Sequence, residues 1–180
     1  MALRFFGGSM NEPKRKQLRL SEYDYNSVGV YFLTICTHEK KRILSDVVVG
    51  AIHESPAAEV RLTAAGNVVL QVLQSLPHRY PELQIDHYVI MPNHIHLLLR
   101  ITAQRAIHES PLRDRHSLLS KAIGFLKMNS SKQIHMINPD LTVWQRSYYE
   151  HIIRNERDYQ EIWRYIEGNP GKWTQDQYYL

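Results

Sequence analysis

The sequence predicts an α+β fold with a mostly antiparallel sheet. Segments with strand patterns alternate with segments of helical periodicity, an order typical of a sheet covered by helices. Two of the predicted strands are joined by the short turn-forming segment Met-Pro-Asn at 91–93, and such a tight connection indicates antiparallel strands. The length of 180 residues suits one domain with its own hydrophobic core.

Local patterns justify the first half of the fold. β-branched and aromatic residues predict a buried strand at 28–37, and short strands follow at 47–49 and 58–62. Thr63 then caps a helix over about 64–76, and Pro77 lies just past its end. Strands at 83–91 and 94–101 form the hairpin around the Met-Pro-Asn turn.

The second half of the chain adds two helices. Ser117 is positioned to cap a helix that runs to about Ile134, and short extended pieces follow at 141–144 and 148–153. Asn155 caps a final helix over about 156–168, which Gly168, Asn169 and Pro170 bring to an end.

Two histidines lie two positions apart in the strand at 94–101. Strand alternation places His94 and His96 on one face with Leu98 and Arg100, whereas the Ile and Leu residues at 95, 97 and 99 point into the core. Two imidazoles on a rigid strand make half of a metal site. The alternative is a pair of polar strand residues that form hydrogen bonds with their neighbours.

The final helix carries a tyrosine outside its apolar stripe. That stripe is formed by Tyr159, Ile162, Trp163 and Ile166, which are core residues by their spacing. Tyr165 lies about a quarter-turn or more away from the centre of the stripe. Asn169 is at i+4 from Tyr165 and therefore adjacent to it. A tyrosine beside an oxygen ligand, facing two histidines, predicts a metal-assisted nucleophile, although packing is the ordinary role of a single tyrosine.

Basic residues are clustered, although the net charge is only +4 and the pI about 9.2. Any one cluster is ordinarily a solvated surface. Several clusters around a candidate metal site favour contact with the phosphates of a nucleic acid. The clustered residues are Lys14, Arg15, Lys16, Arg19, Lys40, Lys41, Arg42, Lys121, Lys127 and Lys132.

The composition fits a cytoplasmic protein. Cys36 is the single cysteine, so an intramolecular disulfide and a cysteine-rich zinc site are excluded. No apolar run approaches the roughly 18 residues of a membrane span, and the N-terminus lacks the apolar stretch of a signal peptide. The hexapeptide Ala-Ile-His-Glu-Ser-Pro occurs at 51–56 and again at 106–111. Because both copies lie in expected loops, we interpret them as a duplication in the DNA that the fold tolerates.

Four stretches resemble one protein family. Residues 88–99, Tyr-Val-Ile-Met-Pro-Asn-His-Ile-His-Leu-Leu-Leu, resemble the His-hydrophobic-His motif of the HUH single-tyrosine transposases. The stretches at 144–154 and 165–170 resemble the C-terminal signature of the REP-associated tyrosine transposase branch. The stretch at 19–37, which ends in Tyr-Phe-Leu-Thr-Ile-Cys-Thr, is similar to the opening strand of the family. The resemblance covers about residues 13–173, and the two hexapeptide loops depart from the usual spacing.

The resemblance implies a ferredoxin-like antiparallel sheet with helices packed mainly on one face. It also implies a metal-dependent enzyme that cleaves and rejoins single-stranded DNA through a 5′-phosphotyrosine intermediate. Tyr165 matches the nucleophile, and His94, His96 and Asn169 match the ligands of the ion, Mg²⁺ or Mn²⁺. The implied partner is hairpin or palindromic repeat DNA.

Together these observations predict a basic N-terminal arm at 1–19 and a single domain at 20–180. We expect no membrane partner, and a homodimer is left open. The residues expected to contact DNA are Lys14, Arg15, Lys16, Arg19, Lys40, Lys41 and Arg154. Two other functions stay open: a metal-dependent phosphoesterase that activates water, and a non-catalytic nucleic-acid-binding module.

Overall fold

The computed structural model describes residues 28–49, 58–102 and 117–179. Among these residues, three strands precede the first helix, and three more strands are interleaved with two further helices. The elements are β1 (Gly29–Cys36), a 3₁₀ turn (His38–Lys40), β2 (Ser45–Val49), β3 (Ala58–Leu62), α1 (Ala64–Arg79), β4 (Leu83–Ile90), β5 (His94–Ile101), α2 (Leu118–Ile137), β6 (Tyr149–Ile153), α3 (Glu156–Gly168) and a second 3₁₀ segment (Pro170–Gln175).

The sheet has the strand order β4-β5-β1-β6, and every neighbouring pair is antiparallel. Together with α1 and α2, these strands follow one another in the order βαββαβ, which is the ferredoxin-like arrangement. The small hairpin β2–β3 lies between β1 and α1 as a separate two-stranded sheet. The predicted α+β class with a ferredoxin-like antiparallel sheet is confirmed.

The two faces of the sheet bury different helices. The odd-numbered residues from 31 to 35 in β1 and from 95 to 101 in β5 pack against α1 and α2 and form the main core. The opposite face contributes Val30, Phe32 and Leu98, which pack against Ile166 of α3. Of the three helices within the described residues, two therefore lie on one face, and α3 covers the face that carries His94 and His96.

The helix starts agree with the predicted caps. The side chains of Thr63, Ser117 and Asn155 each accept a hydrogen bond from a backbone N–H in the first turn, at 2.9 to 3.2 Å. The predicted end of α1 is wrong, because the helix continues through Pro77 to Arg79. Proline removes only one backbone donor, and the buried Leu73 and Leu76 keep this last turn on the core.

Some predictions fall outside the described residues. These are the basic arm at 1–19, with its DNA-binding residues Lys14, Arg15, Lys16 and Arg19, and both copies of the hexapeptide. In the part of the chain that the structure describes, none of the helices has the length and apolar character needed to span a membrane.

Candidate metal and nucleophile site

The site is built around two buried imidazoles on β5. His94 and His96 are fully buried, and their Nε2 atoms lie 3.1 Å apart. His94 Nδ1 lies 2.8 Å from Asn93 Oδ1, and His96 Nδ1 lies 2.9 Å from Thr34 Oγ1. The contacts at Nδ1 thus fix the orientation of both rings, and both Nε2 atoms face the same space.

The hydrogen bonds of Asn93 determine which nitrogen of His94 carries the proton. Asn93 Nδ2 donates to the Tyr178 carbonyl at 2.7 Å, so Asn93 Oδ1 faces His94 and can only accept. His94 Nδ1 therefore carries the hydrogen, and its Nε2 presents a lone pair. Thr34 can accept the Nδ1 hydrogen of His96 in the same way, and in that tautomer the two Nε2 lone pairs converge.

Burial keeps both imidazoles neutral. It lowers the pKa of His94 to about 4, although the Asp176 carboxylate acts in the opposite direction. Burial, followed by the neighbouring His94, holds the pKa of His96 well below its usual value. Because neither imidazole takes up a second proton near neutral pH, the nitrogens that converge here can accept a cation.

A carboxylate completes the donor set. Asp176 lies just after the second 3₁₀ segment. One of its carboxylate oxygens, one ring nitrogen of His94 and one ring nitrogen of His96 all lie within 4.8 Å of one another. Two imidazoles and a carboxylate oxygen are a donor set that divalent transition metals accept. The sequence analysis missed Asp176, because a single carboxylate in an aromatic C-terminal stretch has no spacing relation to the histidines.

Asn169 occupies the position next to Asp176. It is 4% exposed, and its Nδ2 donates to Asp176 Oδ2 at 2.7 Å. Its Oδ1 is buried without a hydrogen-bond partner among the described residues. An unpaired buried acceptor is costly, so this oxygen is an additional donor that fits a cation, and the residues present fit a divalent ion.

Tyr165 enters the site from α3. Its hydroxyl donates toward His96 Nε2 at 3.2 Å, and its ring meets the Phe32 ring edge-on at 5.9 Å. The residue is 39% exposed, so part of its side chain reaches solvent. Burial, followed by the Asp176 charge, raises the pKa of Tyr165 to about 12. A neighbouring cation would act in the opposite direction.

Aromatic rings line the rest of the site. The Tyr178 ring lies 4.6 Å from the His94 ring, and Trp173 lies 6.0 Å from it. The Phe32 ring lies 5.2 Å from the His96 ring. These rings exclude water from the imidazoles, which strengthens electrostatic interactions in the site.

A bulge in β4 fixes α3, and thereby Tyr165, on the sheet. The register shifts between Ile85 and His87, which turns both Asp86 and His87 toward α3, as bulges often redirect side chains. The Asp86 carboxylate, only 4% exposed, accepts from Arg100 at 2.5 Å and from the Tyr159 hydroxyl at 3.1 Å. His87 stacks on Trp163 with 4.3 Å between ring centroids.

We expect Asp86→Ala to loosen α3 without removing any candidate ligand. Losing the acceptor of Arg100 and Tyr159 should cost about 1–3 kcal/mol of unfolding free energy, measured by urea denaturation. Arg157→Gln is the matched control, because it breaks an exposed pair with Glu161 on the same helix and should change stability by less than about 0.5 kcal/mol. Equal stability of Asp86→Ala and wild type would contradict this role.

The predicted DNA-contacting residues occupy different places. Lys40 lies beside the site, with its Nζ 5.2 Å from the Tyr178 ring centroid. Lys41 is exposed and pairs with Glu39 at 3.2 Å. Arg154 is exposed at the connection from β6 to α3. The structure therefore brings Lys40 to the candidate site, whereas Arg154 lies at the opposite end of α3 from Tyr165.

Two solved structures are similar to this chain at low identity. One is a REP-associated tyrosine transposase bound to a REP hairpin, with 21% identity, 80% of this chain and 67% of that chain covered, and a TM-score of 0.49. The other is a putative transposase from Deinococcus radiodurans, with 17% identity, 83% and 95% coverage, and a TM-score of 0.44. Both TM-scores are below 0.5, and the fold assignment rests on strand order instead.

Sequence comparison gives a stronger relationship. No protein-family model matches the chain. An uncharacterized protein from Haemophilus influenzae is 35% identical over 176 residues, with 92% of this chain and 93% of that protein covered. Similarity of this extent over nearly the full length of both proteins indicates common descent. The chain belongs to the same family as this Haemophilus influenzae protein.

Proposed function

We propose that the protein cleaves and rejoins single-stranded DNA, as a metal-dependent tyrosine transposase or strand-transfer endonuclease of the HUH type. The observation that carries this proposal is the placement of the Tyr165 hydroxyl 3.2 Å from His96 Nε2, at the point where two imidazole lone pairs converge. A nucleophile beside a cation site is the arrangement that phosphoryl transfer to tyrosine needs.

In the proposed step, the Tyr165 oxygen attacks the scissile phosphorus. The bond from phosphorus to the 3′-oxygen breaks as the bond to the tyrosine oxygen forms, which leaves a 5′-phosphotyrosine. The tyrosine proton passes to solvent or to a neighbouring base, and the leaving oxygen takes up a proton to become a 3′-hydroxyl. Because one phosphodiester replaces another, the reverse reaction rejoins strands without a nucleotide cofactor.

His94 and His96 are the proposed ligands of a divalent ion, Mg²⁺ or Mn²⁺, and Asn169 and Asp176 offer the oxygen donors. When bound, the ion supplies positive charge to the phosphate and favours the ionised form of the tyrosine. Asn93 holds His94 with its Nε2 unprotonated, and Thr34, when it accepts the Nδ1 hydrogen of His96, would leave the second Nε2 available to the ion as well. A site with two imidazole ligands is expected to bind Mn²⁺ more tightly than Mg²⁺.

The Asn169 side chain provides a prediction about these oxygen donors. Removing its unpaired oxygen and its hydrogen bond to Asp176 in Asn169→Gly should raise the Mn²⁺ concentration needed for half-maximal cleavage, with partial recovery at high Mn²⁺. The expected increase is about 10- to 100-fold, as for lost partners around other metal sites. Asn169→Asp should keep Mn²⁺ binding, because a carboxylate is a better ligand for hard cations than an amide.

Mn²⁺ titration of cleavage in both variants, with Asp176→Asn alongside, provides the measurement. Asn169 has helical backbone angles, φ −60° and ψ −44°, so its replacement by glycine relieves no left-handed strain. A Mn²⁺ dependence identical to wild type in Asn169→Gly would return this residue to a structural role. The same result in Asp176→Asn would remove the carboxylate from the donor set.

The proposed substrate is a hairpin or palindromic repeat with an unpaired segment. Exposed basic residues such as Lys41 and Arg154 are suited to phosphates of the strand. The test is a labelled hairpin incubated with the wild-type protein and Mn²⁺. A covalent protein–DNA adduct that resists denaturant, together with a free 3′-hydroxyl, is expected. Cleavage without an adduct would instead support hydrolysis by activated water.

A further inference from the structure

A turn of basic residues lies beside the candidate site. Lys40, Lys41 and Arg42, which we call the basic turn, follow β1 and connect it toward β2. Glu39 and Lys40 both have φ of 53°, the left-handed region that residues with side chains seldom adopt. Such backbone strain persists only where surrounding contacts impose it, and it is concentrated at functional sites.

Hydrogen bonds hold this strained turn in one shape. The Thr37 carbonyl accepts from Lys40 N–H at 3.1 Å, and the Thr37 hydroxyl donates to the Lys41 carbonyl at 2.8 Å. Thr37 itself is fully buried and its N–H donates to the Asn93 carbonyl at 2.9 Å. Since Asn93 also holds His94, the basic turn is rigidly connected to the metal-site strand.

The Arg42 side chain of the basic turn lies beside aromatic rings of the C-terminal segment. The Arg42 guanidinium lies 4.4 Å from the Tyr179 ring centroid and 5.5 Å from that of Trp173. Tyr179 meets Trp173 at 5.1 Å, and Trp173 lies 6.0 Å from His94. At about 3.4 Å per nucleotide in a stacked strand, Tyr179 is a few nucleotides from the candidate ligands.

The exposed end of this series can accept a ligand. Tyr179 is 41% exposed, and Arg42 is exposed beside it, whereas Trp173 beneath them is 5% exposed. A planar guanidinium and an exposed phenol ring on a buried tryptophan resemble the platforms on which unpaired bases stack. The neighbouring Lys41 is exposed, and its surface ion pair with Glu39 at 3.2 Å is weak enough to be exchanged for a phosphate of the same strand.

We propose that Arg42 and Tyr179 form a stacking site for an unpaired nucleotide that lies a few nucleotides from the cleaved phosphate, with Lys41 contacting the backbone. This proposal rests on the proposed function, because it names how the single-stranded part of the substrate reaches Tyr165. Base stacking of this kind tolerates any sequence, so the site selects an unpaired segment and not a particular base.

The test compares two DNAs in equilibrium binding at one salt concentration: a hairpin with an unpaired extension, and the same hairpin without it. Tyr179→Ala should weaken binding of the extended hairpin by roughly 5- to 150-fold, the range for one stacked base. Binding of the hairpin without extension should stay unchanged. Tyr179→Phe, which keeps the ring, should bind both DNAs as wild type does.

Arg42→Lys, which keeps the charge but loses the plane, should also weaken only the extended hairpin. The matched control is Arg79→Lys, since Arg79 lies 5.8 Å from the Tyr80 ring at the end of α1 on the other face of the sheet. Equal weakening of both DNAs by Tyr179→Ala, or none, would overturn the stacking site. The absence of a covalent adduct with wild type would overturn the proposed function separately.

Discussion

Tyr165→Phe should abolish the covalent protein–DNA adduct. The substitution removes only the hydroxyl that lies 3.2 Å from His96 Nε2, and no other atom of the ring can attack phosphorus. A loss of at least about 10³-fold is expected when a nucleophile is removed and no neighbour replaces it. The measurement is adduct formation with a labelled single strand in Mn²⁺, followed on a denaturing gel.

Two observations indicate that loss of the adduct in Tyr165→Phe would not result from unfolding. Tyr165 is 39% exposed, and its hydroxyl makes one hydrogen bond to a side chain, so the loss should change stability by only about 0.5–1.5 kcal/mol. Tyr149→Phe is a matched control, because Tyr149 is also exposed and pairs in register with Thr34 near the site. If Tyr165→Phe still forms the adduct and Tyr148→Phe or Tyr149→Phe does not, Tyr165 is not the nucleophile. The nucleophile would then be Tyr149 in β6 or Tyr148 just before it.

The local parts of this arrangement could be predicted from the sequence because they depend on short-range rules. Alternation along β5 placed His94 and His96 together on one face, and the i, i+4 spacing placed Asn169 beside Tyr165. Capping chemistry located the starts of all three helices. In the structure, α3 packs on the face of the sheet that carries the histidines, as the hypothesis required.

Other parts depend on contacts between residues distant in sequence. The β4 bulge that turns Asp86 toward Tyr159 leaves no mark in the hydrophobic pattern, because one extra residue changes the faces of its neighbours. Asp176 follows the 3₁₀ segment after α3, and its place beside the histidines depends on how that segment packs and not on any local spacing. The positive φ angles at Glu39 and Lys40 involve residue types that rarely adopt them.

The largest effect of a ligand change is expected at the two histidines. His94→Ala and His96→Ala should each lower cleavage by more than about 100-fold, beyond the 10- to 100-fold typical of outer partners, because the remaining donors cannot hold the ion in position. His78→Ala is the matched control, since His78 is exposed on α1 away from the site. Removing divalent ions with EDTA should abolish wild-type cleavage, and adding Mn²⁺ should restore it.

A thermal measurement separates lost metal binding from lost folding. An ion that binds only the folded protein stabilises it by about 2.7 kcal/mol when present at 100 times its Kd, so Mn²⁺ should raise the melting temperature of wild type. In His94→Ala and His96→Ala the protein should still melt cooperatively, but Mn²⁺ should no longer raise the melting temperature. Because both imidazoles are buried, neutral and aimed at each other, their removal also relieves close contact between lone pairs. Full cleavage by wild type in excess EDTA, or an unchanged Mn²⁺ response in both variants, would contradict a metal site at this pair of histidines.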